Sequence, residues 1–143
     1  MEQKFITSSQ AETEALGARL AEVLGAGDVV AFYGELGAGK TAFTRGALGK
    51  MGFSGSVTSP TFTIVNEYKN EKYSVAHFDM YRIENEDELY STGFYDYLDG
   101  NNILFIEWTE NIEYALDFPH IKVYINSTGS ESREIIIEGA KII

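Results

Sequence analysis

Cysteine is absent from the 143 residues, which excludes disulfides, a thiol nucleophile and zinc sites built on thiolates. Proline occurs only as Pro60 and Pro119, and no Pro/Ser-rich or low-complexity run divides the chain. No internal repeat is present either. One domain over 1–143 is therefore expected, a size that can bury about 70% of the surface its unfolded chain exposes. Basic residues are scarce: 11 Lys and Arg face 22 Asp and Glu, for a formal net charge of −11. Nucleic-acid binding relies on clustered Lys and Arg, so this chain is not expected to hold RNA or DNA by itself. Any RNA-linked role needs partners. No apolar run approaches the ~20 residues of a membrane-spanning helix. The start, Met1 to Phe5, lacks a secretory apolar region, which makes the cytoplasm the expected location and no membrane the expected partner.

What the chain does contain is Gly34-Glu35-Leu36-Gly37-Ala38-Gly39-Lys40-Thr41, which fits the phosphate-loop pattern G-x-x-x-x-G-K-[ST] at every fixed position. The context fits too. Asp28 to Tyr33 is an apolar, β-branched and aromatic segment that predicts a buried strand, and Phe43, Ala47 and Leu48 recur at helical spacing after the loop. Strand, glycine-rich turn and helix make a concave anion site, in which backbone N–H groups from Gly34 through Ala42 and the helix N-terminus face phosphate oxygens. Lys40 supplies a point charge for the β- and γ-phosphates of ATP, and Thr41 a hydroxyl for Mg²⁺.

Before the loop, Phe5 to Thr7 is a short candidate strand. Ser9 to Glu12 has capping-box spacing, and Leu16, Leu20, Val23 and Leu24 form one apolar face that Gly25 and Gly27 end. Ser8, Ser9 and Thr13 at this helix start are expected to cap, with a second reading that places them near a nucleotide base. After the loop, Thr58, Ser59 and Thr61 around Pro60 are hydroxyls that either satisfy a turn or sense Mg²⁺ and γ-phosphate. Thr61 to Tyr68 and Lys72 to Asp79 read as strands joined by a hairpin, which makes the sheet mixed.

If the second of these strands continues, His77, Asp79 and Tyr81 share one face. Asp79, a carboxylate finishing a largely apolar strand, must reach solvent or meet a cation. Glu84 to Leu89 predicts a helix with an acidic start, and Phe94 to Leu98 a further helical turn. Ile103 to Glu107 is an apolar strand ending in an acid, the place where phosphate-loop proteins keep a carboxylate for Mg²⁺. Glu107 is the candidate, with direct coordination, a water-mediated contact and general-base work all open; Trp108 is most simply read as a packing residue, with a functional surface role as the rival reading. Thr109 to Leu116 predicts a short helix, and Ile121 to Ile125 and Arg133 to Glu138 a pair of strands around a turn at Gly129. The expected class is α/β: a P-loop NTPase-like three-layer domain with a mixed central sheet.

The phosphate loop, Ser59-Pro60-Thr61-Phe62, His77-Phe78-Asp79-Met80-Tyr81-Arg82 and Glu107-Trp108, in that order, resemble one family. It is the ATPase subunit of the bacterial tRNA threonylcarbamoyladenosine machinery, TsaE or YjeE. The resemblance implies an ATPase that binds ATP and Mg²⁺. It would work with two sugar-kinase-fold partners, TsaD and TsaB, which modify adenosine 37 of tRNA, so that tRNA is met through the complex. It further implies Lys40 and Thr41 as phosphate and Mg²⁺ ligands, Glu107 as a second Mg²⁺ contact, Asp79 as a catalytic or metal-linked acid, and Arg133 as a basic residue near the nucleotide. Two rival activities fit the same loop: a small-molecule kinase, and a nucleotide-sensing module with negligible turnover.

Overall fold

The computed structural model describes residues 2–34, 39–53 and 64–142. Its elements are β1 (Glu2–Thr7), α1 (Gln10–Ala21), β2 (Val29–Gly34), α2 (Lys40–Lys50), β3 (Val65–Lys69), β4 (Ser74–Asp79), α3 (Glu86–Ser91), β5 (Ile103–Glu107), β6 (Ile121–Ser127) and β7 (Arg133–Glu138). Short 3-10 segments run over Phe94–Tyr97 and Thr109–Ala115. The seven strands form one sheet in the order β1-β7-β6-β2-β5-β4-β3. β4, β5, β2 and β6 are parallel, while β1–β7, β6–β7 and β3–β4 pair antiparallel, so the sheet is mixed as expected.

The apolar runs explain the middle of this sheet. Val29 to Phe32 and all of β5 are buried, as strands covered on both faces must be. Parallel pairing then brings Gly34, Glu107 and Asp79 to the same edge, at the carboxyl ends of β2, β5 and β4, where open α/β sheets bind ligands. On one face Phe32, Val75 and Phe105 pack with Leu16, Leu20, Phe43 and Leu48 of α1 and α2. On the other, Ala31, Phe78 and Ile106 pack with Leu89 of α3 and with Phe94 and Ile112 of the 3-10 segments. Three layers result. Among the described residues no helix is long and apolar enough to cross a membrane.

α1 and α2 approach so closely that a Cβ on Gly46 would lie 1.8 Å from the Glu14 carbonyl oxygen, and one on Gly17 2.0 Å from that of Phe43. Gly46→Ala should therefore lower unfolding stability by about 2 kcal/mol, since overpacking outweighs the better helix propensity of alanine. Gly49→Ala, on the exposed side of α2 with nothing within 4 Å of its Cβ, should raise it slightly. Urea titrations of the two variants check this pair, and equal midpoints would refute the close approach.

Several boundaries differ from those expected. β1 starts at Glu2 because it pairs with β7 along its whole length, and its polar alternate residues hide the pattern. α1 ends at Ala21, so Val23 falls beyond its apolar face and is 44% exposed. Asn70 shapes the β3–β4 turn by accepting from the N–H groups of Lys72 (2.9 Å) and Tyr73 (2.7 Å), which delays β4 to Ser74. β4 stops at Asp79, so Tyr81 leaves the shared face and is 60% exposed. α3 starts at Glu86 behind an Asn85 cap, and β6 runs on to Ser127. The expected helix after Trp108 is the 3-10 segment, kinked at Ile112. Thr58, Ser59 and Thr61 lie outside the described residues, as does the expected strand start at 61–63.

Candidate functional site

At the end of β2, Gly34 (φ +132°) touches β6: a Cβ there would stand 2.0 Å from the Ile125 carbonyl oxygen. Glu35, Leu36, Gly37 and Ala38 lie outside the described residues. Gly39 caps α2 in the left-handed region (φ +106°), where glycine carries no Cβ penalty, and its carbonyl accepts from Phe43 N–H at 2.9 Å. The N–H groups of Lys40, Thr41 and Ala42 thus have no acceptor within the helix. Lys40 is only 6% exposed, and its Nζ lies 5.6 Å from the centre of the Trp108 ring. None of the ion pairs among the described residues includes it.

Beside this helix start the ends of β4 and β5 are pinned together. Met80 N–H donates to the Glu107 carbonyl (3.0 Å), and the Asn111 amide donates to the carbonyls of Met80 (2.9 Å) and Tyr81 (3.2 Å). Asp79 and Glu107 are register partners, so their carboxylates leave the sheet side by side. Desolvation raises the Asp79 carboxyl above its ordinary range and the charge of Glu107 adds to this, against the Tyr81 N–H bond, His77 and Lys40, which lower it. Glu107 is 7% exposed and its Oε2 accepts a 2.6 Å hydrogen bond from His77 Nε2. Trp108 follows with φ +59° and ψ 43°, a left-handed conformation that costs about 1–2 kcal/mol in a non-glycine residue. The Thr109 hydroxyl, next in the chain, reaches the Phe32 and Ile106 carbonyls at 2.9 and 3.2 Å and holds the turn in place.

A cavity of about 470 Å³ opens here. Gly39, Lys40, Thr41, Ala42 and Arg45 line it from α2, Gln10 and Thr13 from α1, Glu107 and Trp108 from the end of β5, and Ser130, Glu131 and Arg133 from the β6–β7 hairpin. Of the sequence-derived site residues, Gly39, Lys40, Thr41, Ala42, Glu107 and Arg133 meet in one wall. Asp79 sits one strand over from that wall, and Gly34 stands at the end of β2 beside β6. Arg133 reaches the loop itself: a Cβ on Gly39 would be 3.3 Å from its Nε, and its Nη1 donates to the Ser132 carbonyl at 2.8 Å.

Sequence reasoning missed Gln10, Arg45, Ser130 and Glu131, which carry no local motif. It named His77 without assigning it a partner, although the two-residue spacing from Asp79 already placed both on one face. Among the described residues, no three His, Cys, Asp or Glu side chains converge on a point that could hold a metal ion.

A family model described as "Threonylcarbamoyl adenosine biosynthesis protein TsaE" matches residues 7–135. The chain belongs to the TsaE family. That match takes in every element of the cavity, from α1 to Arg133. The TsaE protein of Bacillus subtilis (strain 168), named for tRNA threonylcarbamoyladenosine biosynthesis, is 37% identical over 132 residues, spanning 92% of this chain and 82% of its own. A TsaE protein of the same description from Rickettsia conorii is 39% identical over 127 residues, 88% of this chain and 72% of its own. The crystal structure of Bacillus subtilis YdiB superposes with a TM-score of 0.79 at 32% identity, covering 99% of this chain and 87% of that one.

Proposed function

We propose that this TsaE-family chain binds ATP with Mg²⁺ and hydrolyses it in support of tRNA N6-threonylcarbamoyladenosine formation by a partner complex in the cytoplasm. One observation carries the reading: a buried lysine ammonium with no ion-pair partner among the described residues, at the open N-terminus of a helix. A buried charge of this kind is costly unless an anion meets it, and a polyphosphate supplies that anion. The donor set suits Mg²⁺ too, because that ion is commonly held by one or two protein oxygens, with phosphate oxygens and waters completing its shell. Thr41 and Glu107 would be those protein oxygens.

Each residue then has a task. Lys40 and the N–H groups of Gly39 to Ala42 hold the phosphates, and Arg133, packed beside Gly39, adds a second cation to the same wall. Asp79 and Glu107 are the acids that can orient a water molecule and accept its proton. When bound, the cation neutralises charge on the phosphoryl oxygens. The TsaE relatives are named for tRNA threonylcarbamoyladenosine biosynthesis, and a chain of net charge −11 is suited to reach tRNA through other proteins. TsaD and TsaB are the proposed partners.

Phosphate release from ATP, measured for the chain alone and with purified TsaD and TsaB, tests this. Slow release alone and faster release with the partners is expected. Equal rates would refute the coupling, and ADP formation that depends on an added acceptor would support a small-molecule kinase instead.

A further inference from the structure

We propose that His77 is a positioning residue, whose Nε2 holds one carboxylate oxygen of Glu107 and so sets how that side chain meets the cavity. The inference rests on the nucleotide reading above and assigns a task to a residue outside it. His77 is fully buried in β4, on the face where Val75 and Phe105 pack beneath α1 and α2. A carboxylate oxygen only accepts, so Nε2 carries the proton in the 2.6 Å bond to Glu107 Oε2.

The bond runs diagonally across the sheet. The register partner of Glu107 is Asp79, and that of His77 is Phe105. A carboxylate must therefore reach back by two residues to meet the imidazole, which the length of glutamate allows and aspartate, one methylene shorter, does not.

The bland alternative is a core histidine that merely fills space. Such a residue is expected to satisfy both ring nitrogens, but His77 Nδ1 is buried with no hydrogen-bond partner among the described residues. An apolar side chain would fill the same space without that cost. Among the described residues, the Glu107 bond is what accounts for an imidazole here. Outer hydrogen-bond partners of this kind orient a ligating side chain and typically change metal affinity or activity by 10–100-fold when removed.

The test is calorimetric titration of the full chain with ATP, under chelator and across a Mg²⁺ series, for the wild type, His77→Leu, His77→Gln, Glu107→Asp and the His77→Leu/Glu107→Asp double variant. Metal-free ATP binding should be the same in wild type, His77→Leu and His77→Gln, because His77 does not line the cavity. The Mg²⁺ concentration needed for half of the affinity gain should rise about tenfold in His77→Leu and in Glu107→Asp. The double variant should be no worse than either single one, since both remove the same bond. His77→Gln keeps a donor of similar reach and should stay within about threefold of wild type.

A wild-type Mg²⁺ requirement in His77→Leu, a Gln variant as impaired as the Leu variant, or fully additive losses would each overturn the inference. Glu107→Asp leaves the imidazole in place, so a wild-type requirement there overturns it even if His77→Leu does not fold. A wild-type chain that binds no ATP removes the nucleotide reading and this inference with it. Normal wild-type binding matched by His77→Leu removes the inference alone.

Discussion

Lys40→Ala should weaken ATP binding by about a hundredfold, the upper end of what one charge-assisted hydrogen bond contributes. An exposed lysine would not have this effect, because water already solvates it and salt screens it. Lys40 is 6% exposed, so much of its desolvation is complete before any ligand arrives. Its Nζ lies 5.6 Å from the centre of the Trp108 ring, a weaker partner for an ammonium than phosphate oxygens are. The same logic gives a second sign. Without nucleotide, the alanine variant loses a buried charge that has no ion-pair partner among the described residues and gains helix propensity at the start of α2, so its thermal midpoint should not fall. On adding ATP, the wild type should gain stability by mass action and the variant should gain far less. Calorimetry and thermal unfolding with and without ATP measure both effects, and an unchanged isotherm would remove Lys40 from the site.

Asp79→Asn should lower partner-stimulated phosphate release by about a hundredfold or more, the range in which a positioned acid–base group contributes. Asparagine keeps the size of the side chain and an oxygen for the 2.9 Å bond from Tyr81 N–H, so the turn after β4 survives. Only the ionisable oxygen is lost. Stability should move the other way, because desolvation and the adjacent Glu107 raise the Asp79 carboxyl in the folded chain. A raised folded value means that the folded state holds the proton more tightly. The contribution of Asp79 to stability is then fully present below its unfolded value of about 3.9 and is lost as pH rises through the folded value. Under chelator, Asp79→Asn should become more stable relative to wild type as pH rises through that window, and the difference should level off above it. Urea titrations from pH 4 to about 8 read this out. A wild type that gains on the variant over that range would remove the assigned environment of Asp79.

Much of the fold was legible because its central elements are contiguous in the chain. β2 and β5 are unbroken apolar runs, and the glycine-rich turn and α2 follow β2 directly, so the wall from Gly39 to Ala42 needed no tertiary information. Glu107 was legible for the same reason, as an acid closing an apolar strand. The remainder of the cavity was not. Gln10 and Glu131 are ordinary polar residues far apart in sequence, and only the pairing of β1 with β7 brings their segments to one rim. Val23 misled because its helical spacing from Leu16 and Leu20 continues past the point where α1 stops at Ala21. Tyr81 misled in the same way, since alternation in sequence cannot show that β4 ends two residues earlier.

The antiparallel flank also affects how the molecule is made. Arg133 pairs with Thr7 on one side and Ser127 on the other, so the arginine at the cavity is set beside the opening residues of the chain. Among the described strands β1 borders only β7, so during synthesis it has no strand partner until β7 has been made. β2, β4 and β5 precede β6 and β7 in the chain, so the parallel centre can assemble first, whereas the side bearing Arg133 closes only after β7 has been made.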